Sequence, residues 1–99
     1  MLVVSRSRKN YVLRVRGNSM IDEHIEDGDF VVVEKRETAN NGEMVIALVD
    51  NVSATLKRFY REGSHIRLQP SNPEFKPLIL SEGRVQVQGI VVGVMRKYR

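Results

Sequence analysis

Residues 11–16 alternate, with Tyr11, Leu13 and Val15 on one side and Val12, Arg14 and Arg16 on the other. A period of two is that of a β-strand with one buried face, because successive side chains of an extended backbone point to opposite sides. Gly17-Asn18 interrupts the alternation, and residues 19–25 are too short and too mixed for more than a turn of helix. Ser19 therefore falls just past a strand end. Asp27-Gly28 is a turn pair, and residues 29–35 predict the next strand, their Val31-Val32-Val33 centre being apolar enough for burial on both faces. Asn40-Asn41-Gly42 turns the chain into a strand over 43–49, and Asp50-Asn51 turns it again. Residues 52–61 alternate once more, with Thr55, Lys57 and Phe59 on one face and Leu56, Arg58 and Tyr60 on the other. Glu62-Gly63 predicts a hairpin into 65–69, after which Pro70, Pro73 and Pro77 forbid regular pairing, since proline has no N–H to donate. A long strand over 85–95 ends the series, with Gly89 and Gly93 as bends or bulges. The expected fold is all-β, about seven short strands, partly closed or two-layered. No pair of amphipathic helical patterns supplies a helix-turn-helix.

With 99 residues, 41% of them hydrophobic, the chain can bury one core but not two. The absence of cysteine removes disulfides, thiolate zinc sites and thiol redox chemistry, and fits a reducing cytoplasm, where the protein is expected. The apolar runs at 30–33 and 89–95 fall far short of the roughly 20 residues that span a bilayer, and the N-terminus lacks the apolar stretch and cleavage site of a secretory signal. No membrane partner is expected. The net charge of +4 is split between Arg6, Arg8, Lys9, Arg14 and Arg16 near the start and Arg96, Lys97 and Arg99 at the end, around an acidic stretch at 22–29. Such a division fits solvated surface better than a nucleic-acid groove. His24 and His65 stand too far apart for a metal pair, and no glycine-rich phosphate-binding fingerprint occurs, so neither a metal nor another cofactor is expected.

Two kinds of serine chemistry can be drawn from what is left. A triad of Ser19, His65 and an aspartate lacks the glycine flanks of a nucleophile elbow. A Ser-Lys pair needs a lysine whose ammonium is destabilised by apolar surroundings, so that the neutral amine can take the serine proton. Lys57, central in an alternating strand beside Thr55 and Phe59, has that setting; Lys9, Lys76 and Lys97 lie near ends or prolines, and Lys35 sits between Glu34 and Arg36. On residue types alone, a turn serine and a solvent-reaching lysine stay open as the alternative.

The string Val12-Leu13-Arg14-Val15-Arg16-Gly17-Asn18-Ser19-Met20, followed by Ile25-Glu26-Asp27-Gly28-Asp29, resembles the hallmark of the LexA repressor, phage repressor and UmuD family of self-cleaving proteins. The similarity continues through Asn41-Gly42-Glu43-Met44, Ala54-Thr55-Leu56-Lys57-Arg58, Leu68-Gln69-Pro70-Ser71-Asn72-Pro73 and Gly89-Ile90-Val91-Val92-Gly93-Val94-Met95. The resemblance implies a mostly β domain over 11–99, preceded at 1–10 by a remnant of a linker and cleavage region. It implies Ser19 as nucleophile and Lys57, 38 positions on, as general base, with the main-chain N–H groups of Asn18 and Ser19 receiving the oxyanion. It also implies a homodimer, for which Ile90, Val91, Val92, Val94 and Met95 are the candidate contacts through strand pairing. A RecA filament as stimulator of cleavage, and operator DNA bound through a separate N-terminal domain, complete the implied partners. Family members cut an Ala-Gly bond upstream of the serine. Ala39, Ala47 and Ala54 are not followed by glycine, so the bond is expected outside this chain, which is expected to be a trimmed fragment. A UmuD-like polymerase accessory and a dimerisation module inactive in this form are the alternatives; a signal peptidase with the same dyad would need a membrane anchor.

Overall fold

A computed structural model describes residues 9–96, so most of the expected N-terminal remnant lies outside the described residues. Seven strands form one antiparallel sheet: β1 (Asn10–Arg14), β2 (Phe30–Lys35), β3 (Met44–Val49), β4 (Ser53–Glu62), β5 (His65–Gln69), β6 (Leu78–Ser81) and β7 (Val85–Met95). The spatial order is β1-β2-β7-β3-β4-β5-β6. The last strand thus lies between β2 and β3 and joins two smaller hairpin sets. Helix is confined to two single turns, Ile21–Glu23 and Glu82–Arg84. The all-β expectation holds, and the strand absent from the sequence reading is β6, which begins at the residue after Pro77.

Both faces of the sheet carry a core, as the Val-rich centre of β2 predicts: Val31, Val32 and Val33 are all buried. One cluster gathers Val45, Ala47, Phe59, Ile66, Leu68 and Ile90. The second gathers Met20, Ile25, Val31, Val33 and Ile46. Ile46 belongs to the second and its neighbours Val45 and Ala47 to the first, because alternate residues of β3 face opposite ways.

The glycines of β7 act by proximity. The β3–β7 register slips between Ile46 and Ala47, leaving Gln88 as the extra residue beside Gly89. The β2–β7 register slips between Val32 and Val33, leaving Val92 beside Gly93. Each slip is a β-bulge that bends and twists the strand. The Gln88 carbonyl at the first bulge accepts hydrogen bonds from the Tyr11 hydroxyl at 3.2 Å and the Arg36 N–H at 3.5 Å, and burial holds the Tyr11 phenol above its ordinary pKa.

β7 is interior only in part. β3 pairs with it from Val85 to Ile90, whereas from Val91 to Met95 its ladder runs to β2 alone. Of the candidate dimer contacts, Ile90 is buried in the first cluster and laddered on both sides, Val91 packs against the second cluster, Met95 is half-buried, and Val92 and Val94 are exposed.

Arg96 ties the end of β7 to the loop that precedes β2. Its Nε and Nη2 donate to the Asp29 carboxylate at 2.8 and 2.9 Å, and Nη2 also reaches the His24 carbonyl at 3.0 Å. Asp29 is buried and accepts the Glu26 N–H as well. The guanidinium and that backbone donor lower its carboxyl pKa to about 2.

Candidate active site

Ser19 sits in the loop that leaves β1 and returns to β2. Gly17 adopts φ +82°, a left-handed conformation open to glycine at little cost, and turns the chain out of the strand direction. The Gly17 N–H donates to Asp27 Oδ1 at 2.7 Å and the Asp27 N–H donates back to Asn18 Oδ1 at 3.1 Å, so the two ends of the loop hold each other. Met20 and Ile25, both fully buried, pin the loop to the second core cluster.

β4 supplies the facing side chains. β5 pairs with β4 only from Arg58 onward, so residues 53–57 are laddered to β3 alone and their other flank is open to the loop. Lys57 and Arg58 point to opposite sides of β4 yet grip the same loop. Lys57 Nζ lies 2.9 Å from Ser19 Oγ and 2.7 Å from Thr55 Oγ1. Arg58 makes a bidentate bond to Glu23, 2.9 Å on each arm, and its Nη1 donates to the Gly42 carbonyl. The Arg58 guanidinium, chiefly by hydrogen bonding, holds the Glu23 carboxyl below the usual carboxylate range.

Lys57 is half-buried and lies across the ladder from Val45, which is fully buried. Removal of water from the ammonium lowers its pKa below the ordinary lysine value. Such an amine gives up its proton more readily than a surface lysine, and its nearest oxygens are both hydroxyls. The main-chain N–H groups of Asn18 and Ser19 meet no acceptor among the described residues. Beside Ser19 and Lys57 opens a cleft of about 280 Å³, floored by Leu13, Val15, Met20, Val31, Ile46 and Leu56 and flanked by Arg14 and Arg16.

The Pro70–Pro73 stretch, which the sequence reading leaves without a role, touches this loop directly. The Ser71 N–H donates to the Ser19 carbonyl and the Asp22 N–H to the Ser71 carbonyl, both at 2.8 Å. Ser71 Oγ donates to Glu23 Oε2 at 2.9 Å, and Asn72 Nδ2 to the Asn18 carbonyl at 2.8 Å. His65 lies on β5 next to Ser64, and His24, on the Ser19 loop, lends its carbonyl to Arg96. Among the described residues no three His, Asp or Glu side chains converge on a common point, and no helix is long and apolar enough to cross a membrane.

Residues 1–92 match the family described as Peptidase S24-like. The chain belongs to that family. A LexA repressor of Koribacter versatilis is 58% identical over 92 residues, 93% of this chain and 44% of the relative. A LexA repressor of Clostridioides difficile is 50% identical over 91 residues, covering 92% of this chain and 43% of the relative. A third, from Roseiflexus, is 53% identical over 87 residues, 87% of this chain and 40% of the relative. The chain therefore spans less than half the length of these relatives. The resemblance to LexA-type repressors is borne out, and the S24-like kinship points to peptidase chemistry on this β scaffold.

Proposed function

We propose that this chain is the peptidase domain of a LexA-type repressor, cutting an Ala-Gly-type bond with Ser19 as nucleophile and Lys57 as general base. The observation that carries the reading is the 2.9 Å contact between a half-buried amine and a serine hydroxyl at the mouth of an apolar cleft. Neutral Lys57 takes the Ser19 proton as Oγ attacks the scissile carbonyl carbon. The resulting oxyanion is received by the Asn18 and Ser19 N–H groups, whose dipoles are fixed before the charge develops. The Lys57 ammonium then protonates the departing amine, and the freed base activates water to hydrolyse the acyl-Ser19 ester. Thr55 Oγ1 keeps the amine aimed at Ser19 throughout.

In the whole protein, cleavage would inactivate a repressor that binds operators as a dimer and is stimulated by a RecA filament. All three relatives above are named repressors, which favours that parent over a polymerase accessory. The test is cleavage in trans. A peptide containing the Ala-Gly bond of such a repressor should be cut into two fragments separable by mass, and Ser19→Ala should leave it intact. A Ser19→Ala protein that still cuts would overturn the assignment.

The half-open flank of β7 supports a homodimer through that strand. From Val91 on, no strand among the described residues ladders with β7 on the side away from β2, where Val92 and Val94 are exposed, and pairing with the same strand of a second copy would fill that flank. Val92→Asp and Val94→Asp should each shift sedimentation at roughly tens of micromolar, an ordinary range for self-association, from dimer to monomer. A dimer insensitive to both would place the contact elsewhere.

A further inference from the structure

The Asn18–Ser19 peptide group is held from outside its own loop. Its carbonyl accepts two hydrogen bonds, one from the Ile21 N–H at 3.2 Å within the turn and a shorter one from Asn72 Nδ2 at 2.8 Å. Asn72 lies between Pro73 and Ser71, in the stretch leading from β5 to β6. Its amide is itself fixed, because Oδ1 accepts the Glu74 N–H at 2.9 Å and thereby turns the NH2 group toward Asn18. The next peptide group along, Ser19–Met20, is held from the same stretch through the Ser71 N–H at 2.8 Å.

A trans peptide is planar, with its C=O and N–H pointing in opposite directions. Whatever fixes the Asn18 carbonyl therefore fixes the Ser19 N–H, which has no acceptor among the described residues. We infer that Asn72 is a positioning residue for the oxyanion donor: by holding the Asn18 carbonyl it aims the Ser19 N–H at the point where negative charge develops. This rests on the peptidase reading above. Asn72 touches no reacting atom; it acts through one peptide plane, and the Ile21 bond alone leaves that plane free to tilt.

The two informative variants are Asn72→Ala, which deletes the donor, and Asn72→Asp. The aspartate keeps the shape and the Glu74 bond but sets an acceptor against the Asn18 carbonyl. With the Ala-Gly peptide in trans, kcat should fall about 30-fold in Asn72→Ala, less than the 10²–10³-fold for outright loss of an oxyanion donor, and at least as far in Asn72→Asp. KM should stay within about twofold and the pH midpoint of the rate should not move, because the cleft and Lys57 are untouched. If Asn72→Ala does not fold by circular dichroism, the isosteric Asn72→Asp carries the test. A kcat within about threefold of the parent in the folded variants, or a loss confined to KM, overturns the inference while leaving the peptidase reading standing. A parent protein that neither cuts the peptide nor forms a Ser19 adduct with a peptide boronate fails that reading, and this inference with it.

Discussion

Lys57→Met should lower trans cleavage by about 10⁴-fold, the scale on which loss of a base from a nucleophile–base pair acts, while leaving the domain at least as stable at pH 7. Both halves come from one cause. Burial beside Val45 lowers the Lys57 pKa below its ordinary value, so the unfolded chain holds the proton more tightly than the folded one. Between the two pKa values the unfolded state binds more protons, and stability rises with pH. Below the folded pKa the parent bears the full cost of a charged, half-buried amine; above the unfolded pKa it bears none. Methionine keeps the stem's volume and removes the charge, so its stability advantage should be greatest at neutral and lower pH and shrink toward pH 10. The parent's cleavage rate should climb as pH rises through the lowered Lys57 pKa and then level off. Denaturant unfolding of both proteins from pH 6 to 10, alongside peptide cleavage, checks each part. A Lys57→Met protein that still cuts would overturn the mechanism, and one markedly weaker at pH 7 would overturn the penalty for burying the charge.

The largest effect on stability should come from one methyl group. A Cβ added to Gly89 would run into Val33 Cγ1 and would meet the Glu34 carbonyl oxygen at 2.7 Å and the Tyr11 hydroxyl at 3.1 Å. Val33 is fully buried and Glu34 O is backbone in the same ladder, so neither has room to retreat. Gly89→Ala should therefore cost about 3 kcal/mol, the upper end of ordinary overpacking, and lower the urea midpoint without changing the slope. Gly93 is the internal control. There the nearest atoms, on Val32, stand at 3.7 Å, ordinary contact, and Gly93→Ala should move the midpoint little. Equal losses at both positions would mean that the cost comes from strand glycine in general, with the approach of β2 irrelevant.

Alternation made most strands legible. Tyr11, Leu13 and Val15 against Arg14 and Arg16 give the inward face of β1 directly, because a half-buried strand writes its two environments into every second residue, and the alternation around Lys57 marks β4 as a strand though both of its faces reach a core. β6 escaped because Leu78-Ile79-Leu80 is apolar throughout and follows Pro77; a short run without alternation names no face. The spacing of Ser19 and Lys57 says nothing of distance. Their approach to 2.9 Å depends on β5 stopping short of Lys57 and on Arg58 holding Glu23 from the other side of β4. The roles of Ser71 and Asn72 are not legible in the sequence, since a side chain that bonds a backbone carbonyl 54 positions away, as Asn72 does, leaves no local periodicity. Asp29 counts in the sequence only as one acid of the stretch at 22–29, and in the fold it is the buried partner of Arg96.

The position of β7 in the sheet sets when this site can exist. Ser19 follows β1 and Lys57 rides on β4, and the ladders β1–β2 and β3–β4–β5–β6 have only β7 between them. On a ribosome the loop bearing Ser19 emerges first and Lys57 follows, yet the two halves stay unjoined until 85–95 is out and has inserted itself between β2 and β3. Non-local pairing of this kind forms late, after the entropy of closing the intervening chain has been met. A nascent chain built on this plan therefore carries both groups while they are still apart, and the insertion of β7, rather than the appearance of either residue, is what brings them into one sheet.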